Sequence, residues 1–241
     1  MMTVIHVVFG TFALFAAPAA LFMSKGGGWH KRLGFVFGIS MGVVLFTAGF
    51  MWQSKGHFFL VPLGVVSGYL VINGYRVAAR RRRPRPSPLQ DGIDVAAAVV
   101  VICAGIGAAR LGITASTPLL RSIEPALIGI GTIAIAFGLN DILGFLGPRI
   151  KLGWLFAHFA ALIAAYVSAV TAFVVINAHG IPMLLRWLVP SIVGVVAIGT
   201  YTFRFASRVV PVADATSRLN RFRIQFGKLL FGWKIRSGRT L

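Results

Sequence analysis

The chain has 241 residues, of which 57% are hydrophobic and only 12% charged, with a mean hydropathy of +0.85. A water-facing globular surface takes about a quarter charged residues, so this composition excludes a soluble domain and implies a chain that faces lipid. Twenty-four Lys and Arg stand against five acids, a net charge of +19, and the single cysteine, Cys103, excludes an internal disulfide and any paired-cysteine metal or redox motif.

A bilayer core about 30 Å thick is crossed by roughly 20 apolar residues in a helix, because backbone amides cannot go unpaired in hydrocarbon. Seven stretches have that length, and together they predict an all-α polytopic bundle: Thr3 to Met23, Leu33 to Trp52, His57 to Tyr75, Ile93 to Leu111, Pro125 to Leu146, Leu152 to Ile176 and Leu184 to Phe205. The first ends in Ala16, Ala17, Pro18, Ala19 and Ala20, a composition found at leader cleavage sites, but nothing basic precedes the apolar run, so it reads as a span. Glycines after Lys25 separate spans 1 and 2, and the run Arg80, Arg81, Arg82, Arg83, Pro84, Arg85, Pro86 opens a stiff basic linker over 80–88 between spans 3 and 4. Trp29, Trp52, Trp154 and Trp187 fall at span ends, where an aromatic belt is expected. The membrane domain occupies 1–206. Over 207–241 basic residues alternate with Phe222, Ile224, Phe226, Leu229, Leu230, Phe231 and Trp233, a pattern suited to a basic amphipathic cytoplasmic tail on anionic lipids, the alternative being a solvated, partly disordered basic tail.

Orientation follows from the retention of Lys and Arg on the cytoplasmic side. With the amino terminus outside, that side holds Lys25, Lys31 and Arg32, the basic residues from Arg76 to Arg85, Arg149 with Lys151, and all those from Arg204 onward. Only Lys55, Arg110, Arg121 and Arg186 face the other way. The expectation is an amino terminus outside, a carboxyl terminus in the cytoplasm, and a place in a bacterial cytoplasmic (inner) membrane. Between two spans an arginine run is topogenic, so no nucleic-acid partner is expected. Walker loop, HExxH, GxSxG and EF-hand patterns are all missing from the sequence.

Small residues recur every fourth position: Gly34, Gly38 and Gly42 in span 2, Gly64 and Gly68 in span 3, Ala157, Ala161, Ala165 and Ala169 in span 6, with Gly10, Ala13 and Ala17 in span 1. Such stripes let helices approach closely in lipid. Histidines stand in register with them. His6 lies four before Gly10, His30 four before Gly34, His57 seven before Gly64, and His158 beside the alanine stripe. Positions four apart on a helix lie one above another, and ionisable groups in spans turn towards protein. By depth the four form an outer pair, His6 with His57, and a cytoplasmic pair, His30 with His158. Two imidazoles on different helices, with small residues making room for a porphyrin, are the donor set of a b-type haem. Asp141, beside Asn140, is the one acid read as lying well within an apolar stretch. The short turn from Gly147 to Lys151 makes spans 5 and 6 antiparallel neighbours, so Asp141 and His158 are a candidate proton relay, the alternative being a pairing of Asp141 with Arg149 or Lys151.

His6 with Gly10, the stretch Lys25-Gly-Gly-Gly-Trp-His30-Lys-Arg-Leu-Gly34, Ala165 with Tyr166, and the segment from Thr171 to Asn177 together resemble a family of uncharacterised bacterial multi-pass membrane proteins. The resemblance covers most of residues 3 to 205 and implies location and fold. More loosely, a histidine opening a span after a short basic, glycine-bearing loop is similar to the di-haem cytochrome b561 type of bundle over spans 1 to 3. That likeness implies haem-ligand roles for His6, His30, His57 and His158 alone; the histidines here lie nearer span ends, and spans 4, 5 and 7 carry none. Three functions are therefore in view: b-type haem electron transfer, a non-enzymatic accessory or assembly subunit with a membrane-protein partner, and proton-coupled transport through Asp141 and His158.

Overall fold

The protein is described from a computed structural model over residues 1–55, 58–80, 88–146 and 153–209. These residues form eight α-helices and no strand: α1 (Met2–Phe22), α2 (Gly28–Lys55), α3 (Val61–Arg80), α4 (Pro88–Ile113), α5 (Pro118–Ser122), α6 (Glu124–Leu146), α7 (Gly153–Asn177) and α8 (Met183–Val209). A 3-10 turn, Phe58–Leu60, leads into α3. The chain divides into two compact units, 1–198 and 199–241, and the second is described only to Val209, so the tail from 210 onward lies outside the described residues.

Six helices, α1, α2, α4, α6, α7 and α8, are long and apolar enough to cross a membrane. Their outer surfaces are apolar too: Phe12, Phe15, Phe46, Phe50, Ile192 and Val193 are all exposed, as the surface of a bundle solvated by lipid requires. The third expected span becomes α3, which is not among the six. It carries Ser67, Tyr69, Asn73, Tyr75 and Arg76 within twenty residues. Helix boundaries also differ from the sequence reading in a consequential way: α2 begins at Gly28, so His30 lies inside a helix, and α4 begins at Pro88, five residues before the expected span.

Local chemistry explains the ends. Between α1 and α2 the chain reverses at Gly26, whose φ of +77° is the left-handed conformation glycine adopts without steric cost, and the Gly27 amide donates to the Ser24 carbonyl at 2.9 Å. Pro118 opens α5 while the Thr117 hydroxyl accepts from the Leu120 amide at 3.3 Å. Arg186 donates to the carbonyls of Ile181, Val175 and His179, and Arg121 donates to that of Ala115. Two of the four cations expected on the side away from the basic majority thus satisfy carbonyls in the connecting turns.

Helix α3 is the hub. It packs against α7, α4, α2 and α6, while α1 pairs with α2 and α4 pairs with α6. Ala13, Ala16, Phe37, Met41, Leu70, Val101, Ala134 and Ala165 meet around its middle. A second apolar cluster joins Phe59 and Leu63 to Ile123, Leu127, Val175 and Trp187. Trp187, expected in the aromatic belt, is instead 1% exposed within this cluster. Trp29 stays on the surface with the Arg32 guanidinium over its ring.

The closest helix pair is α4 with α6, and its spacing is seven. A Cβ on Gly105 would lie 2.7 Å from the Gly131 carbonyl oxygen; one on Gly138 would lie 2.8 Å from that of Ala98; one on Gly112 would lie 3.1 Å from that of Glu124. Ala98, Gly105 and Gly112 therefore run antiparallel to Gly138, Gly131 and Glu124, a seven-residue repeat that keeps one seam in contact along both helices. The glycine stripe of α2 serves another purpose. A Cβ on Gly38 would stand 3.0 Å from the Tyr75 ring, and the Tyr75 hydroxyl donates to the Gly34 carbonyl. There the small residues make room for an aromatic side chain, and Gly42 touches nothing within 4 Å.

Lipid offers no hydrophobic drive for helices to associate, so packing of this kind decides stability. Gly105→Leu or Gly131→Leu is expected to cost about 1–3 kcal/mol, because the new Cβ meets backbone that no rotamer change can move. Gly42→Leu should leave the melting midpoint unchanged or raised. Thermal unfolding of the purified protein in nanodiscs checks the contrast.

Candidate functional site

One end of α7 presents Trp154, Leu155, His158 and Leu162 on a single face, at spacings of three and four. That face, the start of α2, the end of α1 and the end of α3 enclose a cavity of about 980 Å³, towards the upper limit of the roughly 300–1,000 Å³ usual for ligand sites. His30 and His158 both line it, with Tyr75, Tyr166, Phe159 and small residues such as Ala17, Ala20 and Gly34. Lys25, Lys31 and Arg76 supply its charge, and no carboxylate lines it among the described residues.

Both imidazoles are tethered in the same manner. His30 Nδ1 lies 3.0 Å from the Ala20 carbonyl oxygen, and His158 Nδ1 lies 2.8 Å from that of Gly74. A carbonyl only accepts, so in each neutral ring Nδ1 carries the proton and Nε2 holds the lone pair. This is how ligating histidines are held, by an outer hydrogen bond that fixes tautomer and ring orientation. Gly74 matters twice here: a Cβ in its place would lie 2.7 Å from Leu162 Cδ2, so its lack of a side chain brings α3 near enough to hold His158.

His6 lies at the opposite end of the α1–α2 hairpin. Its Nδ1 is 2.9 Å from Thr47 Oγ1, and the Thr47 hydroxyl itself donates to Val43 or Val44 in the preceding turn. Having only one hydrogen, that hydroxyl accepts from His6, so His6 is also the Nδ1–H tautomer. His57, its expected companion, lies outside the described residues. His179 is exposed in the turn before α8.

Asp141 meets α3. Its carboxylate accepts from the Tyr69 hydroxyl and, at 2.6 Å, from Asn73 Nδ2, while the hydrogen bond described for His158 goes to Gly74. Arg149 and Lys151, weighed as partners of Asp141, lie outside the described residues. A second acid is Asp94, at the start of the expected span 4, which accepts from Arg76 Nε at 2.6 Å with its side chain 11% exposed. Tyr69, Asn73 and Arg76 are spaced at four and three along α3, so one face of that helix engages acids from both α6 and α4. The polar spacing was visible in the sequence; which helix would face it was not.

Among the described residues no three or more His, Cys, Asp or Glu gather as a metal cluster would need. A haem asks for two axial ligands only. Comparison with protein-family models, with curated proteins and with solved structures finds no match for this chain.

The Arg76–Asp94 pair joins α3 to α4 with Asp94 largely buried, and removing one partner strands the other's charge. Arg76→Met and Asp94→Leu are each expected to lower the melting midpoint more than the double substitution does, with a coupling of about 0.5–3 kcal/mol. A double-mutant thermal series measures it.

Proposed function

We propose that this chain is a seven-span protein of a bacterial cytoplasmic membrane, with its amino terminus outside, that binds one b-type haem through His30 and His158 and carries electrons. The observation that carries the reading is the pair of imidazoles on α2 and α7, each anchored at Nδ1 by a helix carbonyl and each lining one cavity with Nε2 available. When bound, a haem iron with two histidine ligands supplies one-electron exchange.

The protein's part is to hold the donors and exclude water. The Gly74 and Ala20 carbonyls fix the ring orientation and hold a proton on Nδ1, so that in the neutral tautomer Nε2 carries the lone pair that ligation requires. Tyr75 is pinned across α2 by the Gly34 carbonyl and sits on the cavity wall beside His30. Phe159, Leu162, Ile163 and Tyr166 make the inner lining apolar. With Lys25, Lys31 and Arg76 gathered at this end of the bundle, the positive-inside tendency assigns it to the cytoplasmic face. Helix α3 then counts as the seventh span, packed against four neighbours and showing the apolar Val61, Val65 and Ile72 on its exposed side.

Full-length protein expressed with added haem precursor is expected to show a Soret band and a sharp reducible α-band. His30→Ala and His158→Ala should each abolish the six-coordinate spectrum, and His6→Phe should leave it intact. A colourless wild-type protein, folded by its melt and supplied with haem, overturns the reading. Orientation is tested separately: a cysteine placed at His179 in a Cys103→Ser background should react with an impermeant maleimide from outside intact cells.

A further inference from the structure

The start of α2 carries a charged and an aromatic group that the bundle does not use. Phe37 and Met41 of this helix are buried in the core, and Gly34 and Gly38 lie against Tyr75. Arg32 stands on the opposite face. Ile39 and Phe46 follow it at intervals of seven, with Phe35, Val36 and Phe50 beside them, and all five are exposed. Trp29, one turn before Arg32, is 65% exposed, and the Arg32 guanidinium lies over its ring at 5.3 Å from the centroid. Among the described residues no carboxylate pairs with Arg32, and no hydrogen bond engages its guanidinium or the Trp29 indole N–H. A cation with its N–H donors open, held on an aromatic ring at the head of an exposed apolar column, matches an amphiphile with an anionic head and a hydrocarbon chain.

We propose that this face of α2 binds one anionic phospholipid, with its phosphate on the Arg32 guanidinium, its ester region against Trp29 and an acyl chain along Phe35, Ile39 and Phe46. The guanidinium fork matches phosphate oxygens in pairs, and an interfacial indole N–H donates to ester carbonyls as belt tryptophans do. A zwitterionic headgroup brings its own ammonium beside the phosphate and so competes with Arg32, whereas phosphatidylglycerol carries no such cation. Lys31 is next in sequence but turned by about 100° around the helix, where it lines the histidine cavity. The site therefore depends on α2 lying in the bilayer and not on what fills that cavity.

The test places the full chain in nanodiscs made of equal amounts of phosphatidylglycerol and phosphatidylcholine, with bromine quenchers high on the acyl chains of one lipid or of the other. Headgroup composition and surface charge are then identical, and only the label moves. Quenching of Trp29, taken as the difference between each protein and its Trp29→Phe counterpart, reports which lipid lies beside it. Wild type is expected to be quenched about fivefold more by labelled phosphatidylglycerol, the ratio set by about 1 kcal/mol for one basic side chain at the membrane surface. Arg32→Gln should bring the ratio near unity, and Lys31→Gln should leave most of it. Arg32 is exposed, so the substitution spares the core, and an unchanged melting midpoint verifies this. Equal quenching by the two labels in wild type overturns the proposal. A ratio that survives in Arg32→Gln also overturns it, because charge elsewhere on the chain then gathers the lipid. So does an equal loss in Lys31→Gln and Arg32→Gln, which is the behaviour of a diffuse basic surface.

Discussion

A helix that carries Ser67, Tyr69, Asn73, Tyr75 and Arg76 cannot face hydrocarbon, and that constraint organises the bundle. Each of these groups on α3 needs a partner from another helix, and each has one. Ser67 meets Ser168 at 2.6 Å, Tyr69 and Asn73 hold Asp141, Tyr75 reaches the Gly34 carbonyl, and Arg76 holds Asp94. The partners come from α7, α6, α2 and α4, so satisfying one helix specifies the neighbours of four others. Interhelical hydrogen bonds in membranes average about 0.6 kcal/mol, rarely above roughly 1.7. Packing therefore supplies most of the stability, and the polar contacts of α3 chiefly select the arrangement.

The α4–α6 pair shows the complementary case. It carries almost no polar contact with α3 apart from the two acids, and its own seam is backbone against backbone at Gly105 and Gly131. Dispersion between atoms at such distances is collectively large, and with no side chain to order, little conformational entropy is lost on docking. A rigid pair of this kind presents Asp94 and Asp141 at fixed heights to α3.

Long apolar runs punctuated by basic or glycine-bearing turns made the helices legible in the sequence, because helix length and hydrophobicity alone decide where a chain can cross a bilayer. Small-residue spacing was a poorer guide to partners. The four-residue stripe on α2 predicts a close helix, yet Gly38 accommodates Tyr75 and Gly42 faces open space, while the tightest contact uses a spacing of seven on α4 and α6. Trp187 illustrates the same limit: its position near a span end fits an aromatic belt, but Phe59 and Ile123 bury it, and only the fold reveals that those residues arrive there. Asp94 falls at the very start of the expected fourth span; α4 begins five residues earlier, at Pro88, which puts that acid nearly two turns inside the helix. For the candidate site, helix register placed His30 and His158 at one end of the bundle; their tethering carbonyls, Ala20 and Gly74, leave no mark in side-chain identity and were unreadable from it.

Helix α3 also separates opposite charges. Through Tyr69, Asn73 and Arg76 it gathers the carboxylates of Asp141 and Asp94; through Tyr75, Arg76 and Ala78 it forms part of the histidine cavity's wall. Neither acid lines the cavity, and a carboxylate beside an imidazole would raise that ring's proton affinity. Placing the acids behind α3 leaves His30 and His158 answerable to neutral carbonyls, which fix the tautomer without adding negative charge. The turn Asn73–Gly74 is where the two roles meet: its amide side chain serves Asp141 and its next carbonyl serves His158. A displacement of α3 along its axis would therefore disturb both together, so the position of this polar helix, set by four neighbours, sets the state of the site.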